Sequence, residues 1–197
     1  MKTKIKICGI KTLAEALFCL NEEVDYLGFS FVPISSRYIE PKTAKTIMAN
    51  LPPGRIETVG VFRDETPQRV LETAKDLALD LIQLHGSENE NYANLLPNLR
   101  IIKVINGDFL ANKFPAEFLM IDREVQGEGK PVEFYKAAGL SRIRPLFLAG
   151  GLTYGNVRRA ISIVKPYAVD VASGVETNGR KDLEKIQKFI NEVRSVS

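Results

Sequence analysis

The chain has 197 residues and a mass of 22.0 kDa, 45% of them hydrophobic and 26% charged, with 14 glycines and 10 prolines, which excludes disordered, collagenous and fibrous readings. Its 27 Lys and Arg against 24 Asp and Glu leave a formal charge of +3, scattered singly along the chain, so a nucleic acid is not the expected partner and a small anionic substrate is allowed. Two cysteines and a single histidine rule out a disulfide framework and a multi-histidine metal site within one chain, and no apolar run approaches the ~20 residues of a membrane span.

Cysteine usage of this kind points to a reducing, cytoplasmic setting, and the opening Met1 to Lys6 runs straight into an apolar pattern without a signal-length stretch behind it. The chain is therefore expected to begin at residue 1 and to have no membrane partner. From the N-terminus, short apolar and β-branched runs recur at 4–8, 26–31, 57–62, 81–84, 100–104, 118–122, 145–149 and 167–171. Most are near-continuous apolar runs instead of strict alternations, the pattern of strands buried on both faces, as in a parallel sheet covered by helices. Between them, apolar spacing near 3.6 predicts helices at 12–20, 41–51, 67–79, 88–96, 156–164 and 181–196, the first opened by Thr12 with Glu15 three places on. The segments 107–114 and 132–138 carry too little periodicity for more than a turn or two.

Eight βα units in one domain over 1–197 give roughly 25 residues each, tight for a (β/α)₈ barrel of the usual ~250 residues but feasible. A doubly wound sheet is the rival, and it places its glycine-rich phosphate turn after the first strand. Here the diglycine Gly150-Gly151 follows the seventh, where a barrel binds phosphate. The expected fold is thus α/β, a single-domain (β/α)₈ TIM barrel.

In a barrel, chemistry gathers at the C-terminal ends of the strands. Cys8, followed by Gly9, ends the first; its thiol is a candidate base or nucleophile if cations or helix N-termini lower its pKa, against the ordinary reading of a buried cysteine as a small apolar residue. Cys19 falls within a helix and is read as core. Asp122 ends the run Phe118-Leu119-Met120-Ile121-Asp122, a carboxylate delivered by four apolar residues; desolvation there would push it toward a proton donor's range, against the ordinary reading of an N-cap or turn-forming Asp. Gly150-Gly151 with Asn156, and Ser173-Gly174 after the next strand, make two adjacent turns whose backbone N–H groups suit a phosphate monoester; either alone is usually just a turn. Arg37 offers a planar fork for a carboxylate, or is a solvated loop arginine. His85, in Gln83-Leu84-His85-Gly86, is either a base or a hydrogen-bonded orienter at the substrate.

Taken together, Lys6-Ile7-Cys8-Gly9-Ile10, Ser36-Arg37-Tyr38, Val59-Gly60-Val61-Phe62, Gln83-Leu84-His85-Gly86, Leu148-Ala149-Gly150-Gly151-Leu152 with Asn156-Val157, and Asp170-Val171-Ala172-Ser173-Gly174-Val175-Glu176 with Gly179, Lys181 and Asp182 resemble the phosphoribosylanthranilate isomerase family, in order from residue 4 to about 190. The resemblance implies a tryptophan-biosynthesis barrel without metal or cofactor that performs an Amadori rearrangement of N-(5-phosphoribosyl)anthranilate to 1-(2-carboxyphenylamino)-1-deoxyribulose 5-phosphate. It makes Cys8 the general base and Asp122 the general acid, gives Arg37 the anthranilate carboxylate, and puts the phosphate at Gly150, Gly151, Ser173 and Gly174. The expected partner is a small phosphosugar, and the chain is expected to be a monomer or homodimer. Gln126-Gly127-Glu128-Gly129-Lys130 departs from the family's Gly-Gly-Thr-Gly-Lys, placing an acid in a loop near an anionic substrate. Indole-glycerol-phosphate synthase shares the phosphate turns but would need catalytic lysines at strand ends and an N-terminal extension. A non-catalytic phospholigand-binding barrel would need no Cys8 and Asp122 together.

Overall fold

A computed structural model describes residues 2–105, 114–122 and 131–196. Eight parallel strands close into a barrel: β1 Lys4–Cys8, β2 Tyr26–Ser30, β3 Glu57–Phe62, β4 Leu81–Leu84, β5 Ile101–Ile105, β6 Phe118–Ile121, β7 Leu146–Leu148 and β8 Ala168–Val171. The closure is between β1 and β8, with Ile7 paired to Val171 and Lys4 to Ala168. Because every pairing in the barrel is parallel, all eight C-terminal ends open on one mouth. The strand runs are placed within a residue or two of the sequence expectation, and Asp122 falls one residue beyond its strand.

Seven helices cover the outside among the described residues: α1 Leu13–Asn21, α2 Pro41–Met48, α3 Pro67–Leu77, α4 Glu90–Asn94, α5 Pro131–Ser141, α6 Val157–Val164 and α7 Leu183–Arg194. The capping box expected at Thr12 and Glu15 is present and opens α1. Helix α3 stops at Ala78, which turns left-handed at φ 48° and ends the helix two residues before 79, where apolar spacing alone had run on. Residues 131–141 form a full helix, longer than the turn or two their weak periodicity suggested, while 107–113 lie outside the described residues. In α6 the buried set is Val157, Ala160, Ile161 and Val164, and in α7 Ile186, Phe189, Ile190 and Val193, both the i, i+3, i+4, i+7 stripe that faces a sheet. Each fully buried member contributes roughly 1.5–3 kcal/mol, so a charge at Ile186 would detach α7 from the barrel.

Two cores result from the alternation of side chains along the strands. The larger lies between sheet and helices, and a second, holding Tyr26, Val59, Leu81, Ile102, Val104, Phe118, Met120, Phe147, Ala149 and Ala168, fills the lumen. At the N-terminal end Tyr26, Phe118, Phe147 and Tyr167 stack with ring centroids 5.0–5.8 Å apart, and the two tyrosine hydroxyls meet at 3.0 Å. This aromatic plug shuts the bottom of the lumen, so polar side chains above it face only the mouth.

Candidate active site

Alternation along β1 turns Lys6 and Cys8 into the lumen, above the plug. Lys6 is fully buried, and its Nζ donates to Asp170 Oδ1 on β8 at 2.7 Å and to Gln83 Oε1 on β4 at 2.9 Å. An ammonium in such a place is tolerable only when paired. Burial works to lower the Lys6 pKa, but Asp170 and Cys8 outweigh it and leave the ammonium held above its ordinary value. The same burial pushes the Cys8 thiol up; Lys6 and Lys181 pull it down without overcoming that, and Asp170 adds to the rise. The cations that could lower its pKa are therefore present, yet desolvation outweighs them and keeps the thiol protonated. Cys19 sits on α1, buried in the outer core as expected, with its thiol pushed up by burial to about 12.

Asp122 follows the last residue of β6, and its side chain is 29% exposed toward the mouth. His85 Nε2 lies 3.4 Å from Asp122 Oδ2, and Gln83 Nε2 lies 3.0 Å from His85 Nδ1. Burial holds the imidazole below its ordinary pKa, so it is neutral near pH 7. The strand-end segment that carries His85 is braced from behind. Glu88, 1% exposed in its side chain, accepts from the backbone N–H groups of Asp64 and Gly86 at 2.9 Å each, and from Lys103 Nζ of β5 at 2.6 Å. Lys103 also donates to the Gly86 carbonyl at 2.6 Å. Nothing local to position 88 signals a partner on another strand, so this pair becomes visible only in the fold.

The two turns expected to hold phosphate do meet. Gly150 and Gly151 adopt φ of 86° and 67°, a left-handed pair that a side chain would strain. Asn156 ties their loop together, accepting from Thr153 N at 2.8 Å and donating to Gly151 O at 2.9 Å, and it makes no side-chain cap on α6, whose Val157 N–H donates to Thr153 O at 3.0 Å. Ser173 opens a short 3-10 turn, Ser173–Val175, packed directly on that loop; a Cβ on Gly174 would stand 1.8 Å from Leu152 O. Only glycine lets the two backbones come this close.

Arg37 does not present a bare fork. Its Nε and Nη2 each donate to Glu176 at 2.8 Å, and Lys181 Nζ joins the same carboxylate at 2.7 Å. Burial acts to raise the Glu176 pKa, but the hydrogen bonds from Arg37 and Lys181 prevail and hold it below the usual carboxylate range. One edge of the guanidinium is thus fixed by protein, and any ligand carboxylate must meet its remaining N–H groups. The side chain lies over Gly9, its Cδ 2.6 Å from where a Cβ would be, beside the end of β1. Glu176 appeared in the sequence motif without a role; its part as the orienter of Arg37 needs the fold to be seen.

Cys8, Arg37, His85, Asp122, Gly150, Gly151, Ser173 and Gly174 accordingly share one barrel mouth, while the 126–130 string lies outside the described residues. Among the described residues no group of three or more His, Cys, Asp or Glu side chains is placed to hold a metal ion, and no helix is long and apolar enough to cross a membrane. A family profile described as N-(5'-phosphoribosyl)anthranilate isomerase matches residues 5–192. The N-(5'-phosphoribosyl)anthranilate isomerase of Streptococcus mutans is 37% identical, with 98% of this chain and 99% of that protein covered. A crystal structure of phosphoribosyl anthranilate isomerase in complex with reduced 1-(o-carboxyphenylamino)-1-deoxyribulose 5-phosphate is 34% identical with a TM-score of 0.88, covering 98% of this chain and 99% of that one. Monomers derived from the dimeric enzyme of Thermotoga maritima are 36% identical with a TM-score of 0.84, and 98% of each chain is covered.

Proposed function

From the premise that the chain belongs to the N-(5'-phosphoribosyl)anthranilate isomerase family, an isomerase of tryptophan biosynthesis, we propose how its residues divide the reaction. Asp122 protonates the furanose ring oxygen as the ring of phosphoribosylanthranilate opens to an iminium ion. Cys8, as thiolate, then removes the proton on sugar carbon 2, which the adjacent cation has acidified, and the enolamine tautomerises to the aminoketone. Gly150, Gly151, Ser173 and Gly174 hold the phosphate, and the free edge of Arg37 meets the anthranilate carboxylate. A solved relative at 34% identity that holds the reduced product supports a ligand of this class in the same fold.

The observation that carries the division is the delivery of one thiol and one carboxyl to the same barrel mouth, each with its own supporting group: Lys6 at Cys8 and His85 at Asp122. We place the enzyme in the cytoplasm, acting on a phosphosugar as a monomer or homodimer. The test is loss of fluorescence on adding freshly made phosphoribosylanthranilate, first to the wild type and then to Cys8→Ser and Asp122→Asn. Each variant should lose roughly 10²–10⁴-fold in kcat with the fold intact. Turnover within about tenfold of wild type in either variant would remove that residue from the mechanism.

A further inference from the structure

Hydrogen bonds run from the base side of the lumen to the acid side, and their polarity is set at one end. Lys6 Nζ can only donate, and it lies 2.9 Å from Gln83 Oε1 in a place where Lys6 is fully buried and Gln83 is 1% exposed. The amide is therefore held with its oxygen toward Lys6, because the flipped amide would set an NH₂ against an ammonium with no water to intervene. Its Nε2 then faces His85 Nδ1 at 3.0 Å, and an amide NH₂ is a donor. Nδ1 must accept, so the proton of the neutral ring sits on Nε2, the nitrogen 3.4 Å from Asp122 Oδ2. Asp170 fixes the origin of the chain by its 2.7 Å bond to Lys6, and His85 is held at the far end by its backbone N–H to Phe62 O at 2.8 Å.

We propose that Gln83 is a positioning residue: oriented by Lys6, it fixes His85 as the Nε2–H tautomer and so keeps a hydrogen-bond donor facing the Asp122 carboxyl. Two consequences follow for proton transfer. Before the transfer, an unprotonated Nε2 would compete with the ring oxygen for the Asp122 proton, and the fixed tautomer removes that competitor. After it, the Nε2–H group stabilises the carboxylate left behind. This kinetic consequence rests on Asp122 as the acid, whereas the tautomer itself rests only on the hydrogen-bond chain.

The chain has a single histidine, so an untagged protein with ¹⁵N-labelled histidine shows one imidazole and its nitrogen signals need no assignment. At a pH above the ring's titration the wild type should show a protonated Nε2 and a bare Nδ1. Gln83→Glu keeps an acceptor for Lys6 but presents a second acceptor to the ring, so Nδ1 should become protonated, by tautomer exchange or by charging of the ring; Gln83→Met removes the donor and should leave both tautomers populated. Both should lower kcat about 10–100-fold, the usual effect of losing an orienting partner, with KM little changed because Gln83 lies below the mouth. In a His85→Asn background neither should cause further loss. A bare Nε2 in the wild type overturns the assignment with no variant required, as does a folded Gln83→Glu or Gln83→Met protein with wild-type ring signals and kcat. If instead the ring behaves as expected but Asp122→Asn stays active, the tautomer stands and the acid assignment falls.

Discussion

Lys103→Met tests whether the segment carrying His85 is held by the buried ion pair behind it. The pair is short, 2.6 Å, with side-chain exposures of 7% for Lys103 and 1% for Glu88. Removing the cation strands a carboxylate that water cannot reach, which costs about 3–5 kcal/mol for a buried pair. The two backbone N–H groups of Asp64 and Gly86 still bond to Glu88, so the lower end of that range applies, about 3 kcal/mol. For a chain of this size one kcal/mol shifts Tm by roughly 2–4 °C, giving an expected fall of about 6–12 °C in a thermal melt. The double variant Lys103→Met with Glu88→Gln has no stranded charge but sets an amide NH₂ against one of those two backbone N–H groups, so it should recover part of that loss. Because the Gly86 carbonyl also loses its donor, kcat of the single variant should fall while competitive inhibition by inorganic phosphate, read at the opposite side of the mouth, stays the same. A melt within about 2 °C of wild type, or a double variant no better than the single, would refute the bracing role.

Four other outcomes follow. In the empty enzyme iodoacetamide should alkylate Cys8 slowly at neutral pH and faster as pH rises, since burial keeps the thiol protonated; fast neutral modification, followed by mass spectrometry, would contradict this. Gly151→Asp should raise KM strongly and weaken inhibition by phosphate, and unchanged kinetics would sink the phosphate assignment. Arg37→Lys keeps the charge but loses the two-pronged bond to Glu176, so affinity for the anthranilate end should fall with the pH profile of turnover unmoved; equal wild-type affinity for an analogue lacking the carboxylate would show that Arg37 reads something else. The Glu176 pKa is depressed in the fold, so its stabilisation is complete above the unfolded carboxyl's pKa and is lost as pH falls through the lower folded value; Glu176→Gln should flatten the acid side of a stability–pH curve.

The barrel was legible because its signals are local: continuous apolar strands, a capping box at Thr12, and a diglycine in the seventh unit instead of the first. The groups that meet at the mouth were legible for a related reason, since a strand's last residue is readable from where its apolar run stops. What stayed hidden depends on pairs far apart in sequence. Lys6 reaches Asp170 across 164 positions and Gln83 across 77, and Arg37 reaches Glu176 across 139. No periodicity reports such a partner. The resting state of Cys8 was hidden too, because a cation nearby says nothing of how much water the fold removes.

That resting state bears on the order of the proposed steps. A thiol that burial holds above its ordinary value is protonated at pH 7, and positive charge added beside it favours the thiolate. Lys6 cannot supply the change, since its ammonium is already present, paired with Asp170 and counted in the resting balance. In the proposed sequence ring opening can: Asp122 protonates the ring oxygen, the nitrogen lone pair expels it, and the resulting iminium cation lies beside the carbon that Cys8 would deprotonate, while the balancing negative charge stays on Asp122 beside His85. That cation favours the thiolate and acidifies the carbon–hydrogen bond at once, so the base becomes competent only when its substrate proton is labile. In the proposed sequence the acid therefore acts first, and the cation it generates arises beside a thiol that burial has kept protonated until then.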